Sequence, residues 1–212
     1  MHDLVDAAER WTRRTGLAAV LAILALLLWS VWRGTRRPAG YKTGHEPKWL
    51  RTSPFYFLAS MGYFGFCYRL WQPLPMRLSQ LVRALALVLG SLLYFSGLTL
   101  VLWGRLALAQ MYNVSSSLGV QLYADHQLIT HGPFALVRHP MYLGVLLTSV
   151  GGILLYRTWT FLFVLLHFPA LLIRARREEW ALAAEFDEQW AEYCHRVPAW
   201  LPRLTSAVDQ GA

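Results

Sequence analysis

Charge is scarce in this chain. Asp, Glu, Lys and Arg make up 15% of its 212 residues, against 56% hydrophobic residues. So little charge beside so much apolar surface excludes a soluble domain of ordinary composition. Cysteine is nearly missing. Cys67 lies in an apolar block and Cys194 in a polar tail, so no disulfide is expected. No C-x-x-C or H-E-x-x-H pattern occurs, and His126, His131 and His139 lack ligand spacing, so no metal is expected. Internal repeats and low-complexity segments are absent. Acidic residues are few, 12 against 20 Lys and Arg, for a formal charge of +8. With no basic-aromatic motif, that excess points to loops facing anionic lipid and not to nucleic acid.

What the chain holds in quantity is apolar blocks. They run over 16–32, 54–71, 81–103, 140–155 and 159–173. A span needs about 20 residues, so the shorter blocks require tilt or help from their flanks. The reading is an all-α polytopic integral membrane protein with about five transmembrane helices and a C-terminal helical region. Residues 1–104 form an N-terminal part, three spans with a basic loop at 33–53. Residues 105–212 form a second part: a connection at 105–140, a helical hairpin at 140–173 and a helix at 174–202. A cleaved secretory signal is the rival reading of the first block. No A-x-A site follows that block, and Arg33, Arg36 and Arg37 come immediately after it.

Five spans place the two chain ends on opposite sides. One side carries thirteen Lys and Arg, at 33, 36, 37, 42, 48, 51, 105, 138, 174, 176, 177, 196 and 203, and the other carries seven. The positive-inside rule puts the first set in the cytoplasm, together with the 105–140 connection and the C-terminal region. Gly90, Gly97 and Gly104 recur every seven residues on the third block, which keeps them near one helix face. Small residues there permit close helix contact, within the chain or between chains.

The polar stretch from Asp125 to Gly144 lies between two apolar regions. Gly132-Pro133 marks a turn. Pro140 suits the first position of a helix and pushes His139 out of the α region. His139 is therefore expected at the cap of a helix starting near Pro140, with Tyr142 in its first turn. Amides at such a helix start can hold an anion such as a carboxylate; the alternative is an ordinary interfacial helix start. Further on, Arg174 and Glu178 are four residues apart and face the same way, while Glu179 points about 100° from Glu178. The pair could grip a ligand or form a surface ion pair. Phe186, Trp190 and Tyr193 recur at helical spacing and are expected to pack the tail.

The runs G-P-F-A-L-V-R-H-P-M-Y-L-G, R-x-x-x-E-E-x-x-L-x-x-x-F and W-x-x-Y-x-x-R-V-P-x-x-L-P together resemble the isoprenylcysteine carboxyl methyltransferase family. That family lies within a wider group of membrane methyltransferases that includes phospholipid N-methyltransferases. The likeness covers roughly residues 105–202. Asp187 stands where the family usually has Gly after Phe, and Trp190 where it usually has Tyr.

The resemblance implies an integral membrane enzyme without a Rossmann domain, using S-adenosyl-L-methionine, in the cytoplasmic membrane if bacterial. Its acceptor would be lipid-like or prenylated, reached from the bilayer. The resemblance implies cofactor contacts from Gln121, His126, Gln127, Leu128 and Ile129. Phe134 stands in the place of a family Tyr and would pack near them. His139, Pro140, Met141 and Tyr142 would line the methionyl or sulfonium end. Glu178 would hold the ribose or amino group, with Glu179 as second choice. Arg174 and Arg105 would face the substrate head. An aromatic ring such as Tyr142 suits a sulfonium by cation–π attraction. A carboxylate acceptor needs no general base, whereas an amine must lose a proton that His139 or a carboxylate could take. The alternatives are a phospholipid N-methyltransferase, an NADPH-dependent reductase of the sterol type drawing on Arg174, Arg176 and Arg177, and a scaffold that kept the fold without catalysis.

Overall fold

The computed structural model describes the backbone over residues 2–34, 39–43, 53–112, 120–123 and 125–202. Helix α1 (His2–Gly34) is longer than the apolar block alone. The polar lead extends it because its charges find partners: Asp6 and Glu9 receive Arg83 from α3 (Gln80–Leu108). Helix α2 (Ser53–Arg69) precedes α3 and is 17 residues long. Ser79 caps α3, its hydroxyl accepting from the Val82 amide, and the helix runs five residues past the expected end at Trp103.

Helix α4 (Pro140–Tyr156) starts where the sequence places it, with His139 at the cap in a non-helical conformation. Arg157 ends it in the left-handed region at φ 53°, and α5 (Trp159–Leu166) begins two residues on. Only Arg157 and Thr158 separate the two helices. The expected span 159–173 is not one straight helix, however. Pro169 lacks the amide that would continue the ladder, so the chain breaks at His167 and restarts as α6 (Phe168–Arg196).

Among the described residues, three stretches are long and apolar enough to cross a bilayer: 3–33, 80–108 and 159–196. The helix Pro140–Tyr156 is apolar but shorter. Leu81, Leu85, Val88 and Leu92 form an outward stripe on α3, as a lipid-facing helix requires. The protein is thus a helical integral membrane protein.

The third block's glycines resolve as an intramolecular seam. A Cβ on Gly90 would stand 2.9 Å from Leu154 of α4, and one on Gly97 would meet Thr148 and the Gly144 carbonyl. Gly144 and Gly151 of α4 return the contact, facing Gly97 and Gly90. With no side chains between them, the two backbones touch. Around this seam Tyr94, Leu98, Val101, Leu155, Tyr156 and Phe161 build the core, joined by Ile23 of α1.

One element was not expected. The basic loop and the long connection each supply a short strand, β1 (Ala39–Thr43) and β2 (Val120–Tyr123), paired antiparallel. Leu122 of β2 is buried against Ala181 and Leu182 of α6. This ribbon seats the strip after it, 126–129, beside the C-terminal helix.

Candidate active site

The site is built where the hinge, α4 and α6 meet. Pro140 starts α4 one residue after His139, which puts Met141 and Tyr142 in the first turn. Arg174, Glu178 and Leu182 recur every four residues on α6 and so share one face. That face meets the start of α4. The Tyr142 hydroxyl donates to Glu178 Oε1 at 2.7 Å, and Arg174 Nε donates to the same oxygen at 3.1 Å. The Arg174 guanidinium also lies 5.7 Å from the centre of the Tyr142 ring.

Glu179, one residue on, turns to the hinge. Its Oε1 pairs with His139 Nε2 at 2.9 Å and with both Nε and Nη2 of Arg138 at 3.1 and 3.0 Å. His139 is 7% exposed and stacks on Trp200 with ring centres 4.9 Å apart. The tail holds the same residues by backbone. The Arg138 amide donates to Pro198 and the His139 amide to Ala199. The His139 side chain makes no cap bond to the first-turn amides of α4. Tyr193 donates to the Phe134 carbonyl at 2.7 Å, fixing the turn after Gly132.

These groups surround a cavity of about 290 Å³. His126, Gln127, Leu128, Ile129 and Phe134 line it from the connection. His139, Pro140, Met141 and Tyr142 line it from the hinge, and Arg174 and Glu178 from α6. The helices add an apolar wall: Leu27 of α1, Val101 and Leu108 of α3, Val145 of α4 and Leu171 of α6. Trp190 and Tyr193 also reach it, so the tail aromatics do more than pack.

Among the described residues, two expected ones, Glu179 and Arg105, do not line the cavity. Glu179 is engaged with Arg138 and His139 instead. Arg105 bonds Ser30 and the Ala109 carbonyl, and its guanidinium lies over Tyr112, which is itself a lining residue. Gln121 lies on β2 opposite Lys42, and its side chain falls outside the described residues.

Tyr112, Arg138 and Trp200 were not singled out as site residues from the sequence. Burial pushes the Tyr112 phenol above its ordinary range, with Arg174 and Arg105 pulling it down and Glu178 raising it. It is therefore a neutral hydroxyl at physiological pH. Nothing in the local pattern marks Trp200. Arg138 stands beside His139 in the motif and could have been read with it. Among the described residues no group of three His, Cys, Asp or Glu is placed to hold a metal ion.

The family model described as phospholipid methyltransferase matches residues 85–189. A cobalt-zinc-cadmium resistance protein of Cupriavidus metallidurans is 37% identical over 86 residues, 38% of this chain and 38% of that protein. A protein-S-isoprenylcysteine O-methyltransferase of Schizosaccharomyces pombe is 34% identical over 82 residues, covering 38% of this chain and 35% of that one. A Delta(14)-sterol reductase of Mus musculus is 39% identical over 75 residues, covering 34% of this chain and 18% of the reductase. Each match spans less than half of the relative's own length.

Proposed function

Through residues 85–189 this chain belongs to the phospholipid methyltransferase family, and we propose that it moves a methyl group from S-adenosylmethionine to a lipid-like acceptor, in the manner of the isoprenylcysteine carboxyl methyltransferases it resembles. One observation carries the reading. Two segments 36 residues apart bring a Tyr, an Arg and a carboxylate onto one cavity that also has an apolar wall.

The lining fits such a donor. The volume is at the lower end of small-ligand pockets, which run from about 300 Å³ upward. Glu178 is a carboxylate with acceptor capacity for ribose hydroxyls or an amine. The Tyr142 ring offers a π face to a cation. When bound, the donor would supply an electrophilic methyl group on a sulfonium.

The chain's own residues would then orient and dry the site. Glu178 would position the donor. Arg174, between Glu178 and the Tyr142 ring, would direct an acceptor carboxylate. Leu27, Val101, Leu108, Val145 and Leu171 would carry the acceptor's hydrocarbon from the bilayer and exclude water. His139 Nε2 is already paired with Glu179, which favours a carboxylate acceptor, needing no base, over an amine. His139 is then a positioning residue. The excess of Lys and Arg on the loops at this end supports a cytoplasmic site.

The sterol reductase match keeps an NADPH reading in view. A 2′-phosphate would need several arginines, and of Arg174, Arg176 and Arg177 only Arg174 lines the cavity. It is paired with Glu178 there. Calorimetry with S-adenosylhomocysteine should give saturable binding, and labelled methyl from S-adenosylmethionine should enter membrane lipid. Folded protein that binds NADPH and not S-adenosylhomocysteine would overturn the proposal.

A further inference from the structure

The helices α1, α3 and α4 each have a second end. On α4, Tyr142 and Tyr156 are fourteen residues apart, about 21 Å along the axis. At the Tyr156 end lies a separate cavity of about 330 Å³. Its frame is rigid. The loop after α2 is zipped to the α4–α5 turn, with the Leu74 amide donating to Arg157 and the Trp159 amide to Gln72. Pro73 bridges Thr158, and the Trp71 ring lies 5.3 Å from that of Tyr156.

Among the described residues, two polar groups lining this cavity have no partner. Arg13 is taken: it binds Glu9 and the Leu155 carbonyl. Arg83 and Arg157 converge on the same Glu9, so that carboxylate is fully neutralised. Arg14, the other cation lining the cavity, makes no ion pair among the described residues. Thr158 lines the cavity at 6% exposure. It stands at the cap of α5 and makes no cap bond, and its Oγ1 has no hydrogen-bond partner. A buried hydroxyl left unpaired is costly, so a ligand oxygen there would relieve it.

Among the described residues, no carboxylate lines the cavity. Its remaining walls are Leu17, Trp71, Pro73 and Tyr156, whose hydroxyl is spent on the Arg13 carbonyl, and both Leu17 and Trp71 are 38% exposed on the outer surface. A spare guanidinium and a spare hydroxyl recognise a phosphate-type anion. Apolar walls continuous with the lipid-facing surface suit what such an anion carries when it is a lipid.

We propose that this cavity binds the phosphodiester headgroup of an anionic bilayer lipid, at the end of the helices away from the Tyr142 cavity. Arg14 pairs with the phosphate and Thr158 donates to it. The acyl chains lie along Leu17 and the outward face of α1.

The test titrates purified protein in phosphatidylcholine nanodiscs with phosphatidylglycerol, following melting temperature and lipid retained by native mass spectrometry. Arg14→Gln and Thr158→Val are compared with the parent, and inorganic phosphate is run as a separate arm. The parent should retain phosphatidylglycerol and melt higher with it, and each variant should bind it about tenfold more weakly. Without phosphatidylglycerol, Arg14→Gln should melt as the parent does, and Thr158→Val the same or higher. An equal lipid response in parent and variants would overturn the proposal. So would a full response to inorganic phosphate, which would make the ligand a free anion. A lower melting temperature of Thr158→Val in pure phosphatidylcholine would also overturn it, since the hydroxyl would then have a structural partner.

Discussion

Tyr142 and Glu178 share a 2.7 Å hydrogen bond between the first turn of α4 and the first charged turns of α6, and Arg174 gives a second bond to the same oxygen. The two side chains therefore hold each other in place as well as facing the cavity. Tyr142→Phe and Glu178→Gln should each weaken S-adenosylhomocysteine binding. The double variant should lose less than the sum, by about 1–2 kcal/mol, because both single changes break one bond. Calorimetry on the four proteins measures that coupling. Strict additivity would mean that the bond does not shape the site.

Glu179 is predicted to act differently from its neighbour. It faces Arg138 and His139 and not the cavity. Glu179→Gln should lower the stability of the hinge by about 1–2 kcal/mol, since a charge-assisted network loses its anion. Its effect on S-adenosylhomocysteine affinity should be smaller than that of Glu178→Gln. Thermal melting and calorimetry on the same samples separate the two. A larger affinity loss for Glu179→Gln would reverse the assignment.

Trp200 covers His139, and Pro198 and Ala199 take the hinge amides. Trp200→Ala should cost about 1 kcal/mol of stacking and loosen residues 197–202. Limited proteolysis after Arg196 should accelerate, with the helical circular dichroism signal unchanged.

The glycine seam gives a sharper contrast. A Cβ on Gly151 would overlap the Tyr94 amide, backbone that cannot move aside. Gly151→Leu should abolish the folded detergent-stable protein. Gly62 and Gly65 of α2 meet nothing within 4 Å, so Ala at either should be neutral or stabilise the helix by up to about 1 kcal/mol. Size-exclusion profiles and melting curves decide it.

Asp187 has φ 39° inside α6, where the resembled family usually carries Gly. A side chain there costs about 1–2 kcal/mol that Gly avoids. Asp187→Gly should raise the melting temperature without altering S-adenosylhomocysteine affinity. A lower melting temperature would show that Asp187 is held by contacts worth more than its backbone strain.

The chain's own pattern determined the helical membrane class, the helix start at Pro140, the α4–α5 hairpin and the shared face of Arg174 and Glu178. Each of these follows from local rules: apolar run length, the missing proline amide and a period of 3.6. It also held the R-H-P-M-Y-L-G signature, which pointed to the methyltransferase group. Only tertiary structure decided what these pieces meet. That the glycines form a seam inside the chain, that Glu179 serves the hinge while Glu178 serves the cavity, and that Tyr112 and Trp200 join the site all depend on segments far apart in sequence. The β1–β2 pairing was equally hidden, since a strand so short becomes stable only with a partner and a helix to cover it. Spacing along one helix says which way a side chain points, but the partner it finds there depends on how the other helices pack.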